Sequence, residues 1–547
     1  MHINSFLKKN IGIMLSITDT STKTIELLNS VDSSGLNVVL LDPDISKTEV
    51  ESCTIQEISR KYDKMYKKLI LTKGQTAVFY GSVIRQLFSN TPEISVTNFD
   101  YLSDLYSKYS RAVLSKETEL IVFSGFNNLF ELRVAIISFR QNFPDLPIAS
   151  LFSFENEEAI LGKAVAYFEI TEALNVDYPG LILHRAPSQD LYEMLNEYNL
   201  PRGLSLSALI DFDETENKIT ECVEKLVNAN TRLIGFTPDR VNTGKKILPL
   251  RDRKLDAQTK KELSFSVTGR TSTVFIGENH PFVIIGERIN PTNRRKLVNA
   301  IEGKDLEFIL KEAKTQLESG ADCLDLNFGV PGLDQSEIMA DSIVTIQNNF
   351  PNPLFIDSTD ISTIDNGLKV YQGKGIVNSI NGKEEIYEKI LPIVKKFGAS
   401  VVILAIDKTL PGTTPERVKI VEKMVRICEE YGIGKNRIVI DPAVLSVATN
   451  PDAPSYVLET IKIVKEEFQL PLIVGLSNVS FGLPNRKLLN RTFLIMAMQA
   501  GLDGAILNPL DKDIHDYIAA ASVFVGRDKN FKNYIRKFRK IEIDFDF

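Results

Sequence analysis

The strongest constraint on the fold is a series of short apolar runs between Phe282 and Asp511, each followed by a polar cluster and an amphipathic stretch. Continuous rather than alternating hydrophobicity is typical of strands that are buried on both faces of a parallel sheet. The eight runs are Phe282–Gly286, Asp322–Leu326, Leu354–Ile356, Gly375–Val377, Val401–Ile406, Ile438–Ile440, Leu472–Leu476 and Gly504–Leu507. Eight strands alternating with helices over about 230 residues predict a (β/α)8 barrel. An open doubly wound sheet is disfavoured because no GxGxxG turn follows the first run.

The first half of the chain repeats this pattern less regularly. Its runs are Val38–Leu41, Ala77–Tyr80, Leu120–Phe123, Pro147–Leu151, Leu181–Leu183, Leu204–Leu206 and Arg232–Gly235. The chain is therefore predicted to be an α/β protein of two (β/α)8 TIM-type barrels, and its 547 residues suit two domains of roughly 250 residues each. The expected boundaries are a first barrel over 1–245, a charged linker over 246–281, a second barrel over 282–512, and a C-terminal helix with a basic tail over 513–547.

Composition and charge exclude several classes of function. Lys plus Arg number 64 and Asp plus Glu 71, so the net charge of −7 gives no electrostatic footprint for nucleic acid. No apolar stretch reaches the roughly 18 residues of a membrane span, and we expect a cytoplasmic protein without a signal peptide. The four cysteines and four histidines are widely scattered, which predicts neither a metal centre nor a disulfide framework.

Polar side chains follow the predicted strands of the second barrel, at the end where TIM barrels carry their chemistry. These clusters are Glu287-Arg288-Ile289-Asn290, Asp325-Leu326-Asn327, Asp357-Ser358-Thr359, Asn378-Ser379, Asp407-Lys408, Asp441-Pro442, Ser477-Asn478 and Asn508-Pro509. Helix capping would explain one or two of them, but not a convergence of Asp and Asn at six or more strands. The pattern predicts a polar active-site mouth.

A mouth of carboxylates and amides suits a flat, neutral ligand with many donors and acceptors, such as a pterin. A carboxylate can accept both donors of the pterin 2-amino and N3–H edge, while amides can serve the remaining ring atoms. Asp357, Asn378, Asp441 and Asn478 supply two groups of each type. A Mg2+ site is the alternative, but it would need phosphate or further oxygen ligands that the sequence does not indicate.

Six motifs of the second half resemble the pterin-binding barrel of methyltetrahydrofolate:corrinoid methyltransferases and of cobalamin-dependent methionine synthases. They are GERIN ending at Asn290, DLNFG from Asp325, IDST around Asp357, VNS around Asn378, IDP around Asp441 and GLSNVSFGLPNR over Gly475–Arg486. The resemblance covers essentially all of Phe282–Asp511.

The resemblance implies that Asp357, Asn378 and Asp441 hold the pterin ring and that Asn478 hydrogen-bonds N5, which carries the methyl group. Arg486 matches a ligand-contacting arginine, while Phe481 stands where some members have glutamine. We also assign Glu287 and Asn290 to the pterin site.

The predicted activity is methyl transfer between N5 of tetrahydrofolate and the cobalt of a corrinoid protein, in either direction. A tertiary amine leaves poorly until N5 is protonated, so catalysis must stabilise the positive charge that develops there. Asn478 can accept the hydrogen bond from protonated N5, and Asp325 with Asn327 can order a water that relays the proton. We predict these three residues to be catalytic. Because only some 36 residues follow Asp511, the corrinoid is expected on a separate protein.

The first half more faintly resembles the homocysteine-binding barrel of methionine synthases, which activates homocysteine on zinc held by three cysteines. The matching places hold Leu183-His184-Arg185 and Ile234-Gly235-Phe236. Without thiolates we expect no zinc, and we interpret this half as a degenerate barrel that serves as a scaffold or docking surface. The alternatives left open are a component of methionine synthase, a non-catalytic folate-binding protein and dihydropteroate synthase. We further expect a homodimer.

Overall fold

The computed structural model describes residues 3, 12–17, 38–42, 45–60, 79–89, 93–114, 118–199, 205–212, 214–236 and 264–539. The chain divides into two compact units, Met1–Glu262 and Leu263–Phe547. No helix within the described ranges is both long and apolar enough to cross a lipid bilayer.

The first unit contains a closed barrel of eight parallel strands in sequential order. The strands are Gly12–Ile17 (β1), Val38–Leu41 (β2), Phe79–Arg85 (β3), Thr118–Phe126 (β4), Ile148–Phe152 (β5), Tyr178–Leu183 (β6), Leu206–Ile210 (β7) and Thr231–Phe236 (β8). The helices are Lys47–Ser52 (α1), Val96–Val113 (α2), Leu129–Asn142 (α3), Glu157–Ala173 (α4), Gln189–Asn199 (α5) and Glu216–Asn228 (α6). Parallel strands covered by helices on the outside bury both faces, which explains their continuous apolar runs.

The seven apolar runs of the first half match seven of these strands and miss β1. That strand pairs with both β2 and β8 and therefore closes the barrel. The predicted residues Ala77, Leu204, 237–263 and 540–547 lie outside the described part of the chain.

The second unit contains a parallel eight-stranded barrel. Its strands are Val283–Ile289 (β11), Cys323–Leu326 (β12), Leu354–Asp357 (β13), Ile376–Ile380 (β14), Ser400–Leu404 (β15), Ile438–Asp441 (β16), Ile473–Gly475 (β17) and Gly504–Leu507 (β18). The hydrogen-bonded order runs from β16 back to β11 and then to β18 and β17. A parallel bridge between Ile440 and Leu472 closes the ring. The predicted α/β class with two (β/α)8 barrels is confirmed.

Helices alternate with these strands. They are Arg295–Glu302 (α7), Leu306–Glu318 (α8), Ser336–Asn349 (α9), Ile361–Val370 (α10), Glu384–Phe397 (α11), Thr414–Glu430 (α12), Ala453–Ile463 (α13), Arg486–Ala500 (α14), Lys512–Phe524 (α15) and Lys532–Phe538 (α16). Gly320 and Gly432 adopt positive φ angles of 92° and 80° just after α8 and α12. Glycine meets no Cβ penalty there, so both residues end their helices as the sequence predicts.

Part of the predicted linker is ordered structure. Phe265–Thr268 (β9) and Thr273–Ile276 (β10) form an antiparallel hairpin within the second unit. Phe265, Val267 and Ile276 pack into one apolar core with Val283 and Phe355 from the barrel strands. The hairpin lies at the N-terminal ends of the strands, because its Thr268 N–H donates to the Lys374 carbonyl just before β14. The linker prediction is therefore wrong for residues 265–276, whose apolar side chains cover the barrel at the N-terminal ends of its strands.

Candidate active site

The C-terminal ends of the strands in the second barrel carry the predicted site residues. Glu287 lies in β11, Asp325 in β12, Asp357 at the end of β13, Asn378 in β14 and Asp441 at the end of β16. Because neighbouring strands are parallel and in register, with Asp357 opposite Asn378 and Leu404 opposite Asp441, their last side chains reach the same rim.

Three of these side chains form one hydrogen-bonded network with Asn327, which directly follows β12. The Asn378 Nδ2 donates to Asp325 Oδ1 at 3.0 Å, and the Asn327 Nδ2 donates to Asp357 Oδ2 at 2.9 Å. The two carboxyl groups also hydrogen-bond to each other. Burial raises the pKa of both, and the charge of Asp357 raises the pKa of Asp325 well above its usual range. The raised pKa favours the protonated form of Asp325, which can donate a hydrogen bond to the Asp357 carboxylate.

Asp441 is held by backbone groups rather than by side chains. The Ala443 N–H donates to its Oδ1 at 2.8 Å, and the Gly475 N–H also donates to the carboxylate. Burial raises the pKa of Asp441 to about 6, because the two backbone donors only partly offset the loss of water. At neutral pH it is a desolvated carboxylate that no side chain in 264–539 pairs with, so it retains acceptor capacity for a ligand.

Glu287 and Arg486 are joined through the loop after β17. The Ser477 hydroxyl donates to Glu287 Oε1 at 3.0 Å, while the Arg486 guanidinium donates to the Ser477 carbonyl at 2.6 Å and to the Ser480 hydroxyl at 3.1 Å. Burial raises the pKa of Glu287, and the nearby arginine only partly opposes that shift. The exposed ring of Phe481 has its centroid 5.9 Å from the Arg486 guanidinium carbon.

Asn478 ends a short helical turn, Leu476–Asn478, directly after β17, and its side chain is exposed. A Cβ added to Gly475 would lie 3.0 Å from the Asn478 Nδ2, so the glycine leaves space for this amide. No hydrogen-bond partner of the amide occurs among residues 264–539, which leaves it available to a ligand.

The structure places the remaining predicted residue, Asn290, in a local role. Its Oδ1 accepts from the Thr292 N–H at 3.0 Å and stabilises the turn after β11. The pterin-binding and catalytic roles of the residues on the rim stay predictions, since the contacts fix positions and not functions.

Sequence reasoning missed several supporting residues. Ser477 was recognised only as part of a strand end, although its hydroxyl and carbonyl connect Glu287 to Arg486. Arg417 on α12 is fully buried, and its Nε donates to the Pro442 carbonyl at 3.1 Å, directly beside Asp441. The glycine-flanked motif around Ser477 was a usable signal, whereas an arginine within an amphipathic helix gives none.

In the described part of the chain, no group of three or more His, Cys, Asp or Glu side chains is placed to hold a metal ion. The four cysteines are free thiols, and Cys222, Cys323 and Cys428 are buried. The expectation of no zinc stays a prediction.

Comparison with known proteins gives a family match over the second barrel. The model described as pterin binding enzyme matches residues 286–508. Methylcorrinoid:tetrahydrofolate methyltransferase from Eubacterium limosum is 30% identical over 268 residues, which are 48% of this chain and 97% of that protein. Methionine synthase from Mycobacterium leprae is 24% identical over 458 residues, which are 76% of this chain and 38% of that protein. Dihydropteroate synthase from Xanthomonas albilineans covers 49% of this chain and 99% of its own, with 18% identity and a TM-score of 0.38.

Proposed function

Since the chain belongs to the family of pterin-binding enzymes that includes methylcorrinoid:tetrahydrofolate methyltransferase, we propose that it moves the N5-methyl group between tetrahydrofolate and the cobalt of a corrinoid protein. The observation that carries this proposal is the ring of carboxyl and amide groups at the mouth of the matched barrel. In this proposal the corrinoid is a co-substrate, carried by a separate protein, that gives or accepts the methyl group.

The donor and acceptor set at the mouth fits a pterin. The desolvated Asp441 carboxylate can accept the paired 2-amino and N3–H donors, and its charge makes these hydrogen bonds stronger than neutral ones. The Asn378 and Asn327 amides each donate one proton to the carboxyl pair, which fixes their orientation. Each amide keeps unused donor or acceptor capacity for the ring carbonyl and nitrogens.

The chemical step requires a proton at N5. When the methyl group leaves tetrahydrofolate, the bond between N5 and the methyl carbon breaks. Its electron pair stays on N5, where a proton neutralises the negative charge. Asn478 would accept the hydrogen bond from N5–H and stabilise the developing positive charge. Asp325, which burial keeps protonated, would supply a proton through a water held with Asn327. In the reverse direction the same groups would take the proton back.

Replacement of Asn478 separates binding from chemistry. Asn478→Ala should slow single-turnover methyl transfer by about 10²-fold or more, the usual loss for one well-placed transition-state contact. The dissociation constant for methyltetrahydrofolate should change much less. Asn349→Ala is the matched control, because Asn349 is an exposed amide at the end of α9 whose one side-chain hydrogen bond within the described residues goes to the Thr345 carbonyl. Equal rates for Asn478→Ala and wild type would refute the role of Asn478.

A component of cobalamin-dependent methionine synthase is the second candidate, favoured by a match that extends over 76% of the chain. This candidate would require the first barrel to activate homocysteine. We propose instead that the first barrel binds no zinc and does not methylate homocysteine, because the sequence resemblance matches His184 and Ile234-Gly235 to the places of the zinc cysteines. Stoichiometric zinc together with homocysteine methylation would favour the second candidate, and folate binding without transfer would favour a non-catalytic protein.

We also propose a homodimer in the cytoplasm. Leu488, Ile495 and Met496 lie along one side of α14, at a spacing that places them near each other, and are 57%, 37% and 49% exposed. Sedimentation of the full chain tests this proposal, and a monomer at micromolar concentration would refute it.

A further inference from the structure

Three polar side chains meet at the mouth of the first barrel, outside the pterin site. Ser153, His184 and Asp211 directly follow the adjacent parallel strands β5, β6 and β7. The backbone holds two of these positions, since the Ser153 N–H donates to the Phe126 carbonyl at 2.7 Å and the Asp211 N–H to the Leu183 carbonyl at 2.9 Å. The carboxyl ends of TIM-barrel strands are the positions from which catalytic groups project.

The three side chains form a continuous hydrogen-bonded chain. The Ser153 Oγ lies 2.9 Å from the His184 Nε2, and the His184 Nδ1 lies 3.1 Å from the Asp211 Oδ2. The Asp211 carboxylate can accept a hydrogen bond from the His184 Nδ1–H, and in that tautomer the lone pair of Nε2 faces the serine hydroxyl. This is the connectivity of nucleophile, general base and orienting carboxylate in serine hydrolases, with both distances in the catalytic range.

A cavity of about 160 Å³ opens beside the imidazole. His184, Arg185 and Phe154 line it, together with the apolar side chains of Ile160, Ile182 and Leu191. This volume is well below the roughly 300 Å³ or more of sites for drug-sized ligands, so it suits a short acyl chain. Arg185 on the cavity wall is paired with Glu157, with 3.7 Å between Arg185 Nε and Glu157 Oε2, and Glu155 lines the cavity as well. His184 is 51% exposed at its side chain, which leaves it accessible to a substrate.

We propose that Ser153, His184 and Asp211 form a second catalytic site that hydrolyses small carboxylic esters. The Ser153 Oγ would attack the ester carbonyl while its proton passes to His184 Nε2. The bond from the carbonyl carbon to the alcohol oxygen then breaks, and the alcohol leaves with that proton. Water would next attack the acyl-serine with its proton passing to His184, and the bond to Ser153 Oγ would break to release the carboxylic acid and return the proton to serine.

A fluorophosphonate probe tests the proposal on the full chain, because it phosphonylates activated serines with loss of fluoride. We expect labelling at Ser153, located by peptide mass spectrometry, that is absent in Ser153→Ala and at least about tenfold slower in His184→Gln. Ser52→Ala is the matched control, an exposed serine whose hydroxyl donates only to the Thr48 carbonyl and lies beside Cys53, and it should be labelled like wild type. Both replacements at the site keep near-native volume and should fold.

Two results would overturn the proposal. One is no labelling of Ser153 at probe concentrations that label a known serine hydrolase. The other is labelling of Ser153 at the wild-type rate in His184→Gln, because the imidazole would then not activate the serine. The turnover of p-nitrophenyl acetate supplies a second readout: Ser153→Ala should remove the initial burst of nitrophenol that reports an acyl-serine, and a retained burst would contradict the assignment.

Discussion

Asp441→Asn should abolish a pH dependence of pterin binding that the wild-type protein shows around pH 6. Burial raises the pKa of the Asp441 carboxyl to about 6, and the ionised form is the one that can accept two donors from the pterin edge. Protonation therefore competes with ligand binding as the pH falls through this value. The asparagine has no titrating group and should bind equally weakly on both sides of it.

The size of the pH effect on binding follows from the fraction of Asp441 that is ionised. With a pKa of about 6, roughly nine-tenths of Asp441 is ionised at pH 7 and roughly one-tenth at pH 5, so the dissociation constant should rise about tenfold between them. At pH 7 the substitution removes a hydrogen bond to a charged acceptor, which contributes about 1.5–3 kcal/mol. That loss corresponds to roughly 10- to 150-fold weaker binding.

Folding stability supplies the control for this variant. The pKa of Asp441 is raised in the folded protein, so its ionisation lowers the free energy of unfolding as the pH rises through about 6. The asparagine avoids that cost and can still accept from the Ala443 N–H, while its amide nitrogen cannot accept from the Gly475 N–H. The two effects oppose each other, so its melting temperature at pH 7.5 should stay close to that of wild type, and weaker binding then cannot be attributed to unfolding.

Isothermal titration calorimetry with methyltetrahydrofolate at pH 5 and pH 7 gives the four dissociation constants required, one for wild type and one for Asp441→Asn at each pH. Protonation of the ligand itself affects wild type and variant alike, so it cancels when their pH ratios are compared. The same ratio in both proteins, or wild-type affinity in Asp441→Asn at pH 7, would refute the assignment of Asp441 as the carboxylate that binds the pterin edge.

Three further substitutions test other parts of the account. Asp325→Asn should leave the melting temperature unchanged, because the asparagine amide can donate to Asp357 in place of the carboxyl proton. It should nevertheless slow methyl transfer by about tenfold or more. A large loss of stability would contradict the proposed donation from Asp325 to Asp357. Ser477→Ala leaves the Glu287 carboxyl one donor fewer, so calorimetry should show a loss of stability that grows as the pH rises and that carboxyl ionises, up to about 1.5–3 kcal/mol. A pH-independent loss would contradict this contact. Gly373→Ala would place a Cβ 2.5 Å from the Gly269 carbonyl oxygen at a φ of 146°, so thermal unfolding should shift down by about 5 °C or more, and an unchanged midpoint would contradict the tight seating of the hairpin.

The strands of the second barrel were predictable because burial on both faces requires continuous apolar runs. Val401–Ile406, for example, predicted β15 to within two residues at its C-terminal end. The hairpin β9–β10 was missed because its strands have only four residues each and follow a cluster of Lys and Arg between 245 and 261 that is typical of a linker. Strand β1 was missed because it is a single short run near the start of the chain.

The rim residues were predictable from their positions after each strand, but their pairing was not. Sequence places Asp325 and Asp357 on neighbouring strands, yet only the structure shows that their carboxyl groups hydrogen-bond to each other and that Asn378 donates to Asp325. Ser153, His184 and Asp211 follow three consecutive strands, but a serine, a histidine and an aspartate separated by about 30 residues carry no local pattern. Such contacts depend on barrel closure rather than on local sequence.

Following the methyl group itself tests most directly whether the protein transfers it between tetrahydrofolate and a corrinoid protein. The full chain is mixed anaerobically with tetrahydrofolate carrying a 13C-labelled N5-methyl group and with reduced corrinoid protein, and carbon NMR follows the label. We expect the N-methyl signal to decay with enzyme present while a cobalt-bound methyl signal grows in equal amount. A protein that binds the folate in calorimetry but leaves the label on N5, in this direction and from methylcorrinoid in the reverse one, would contradict it.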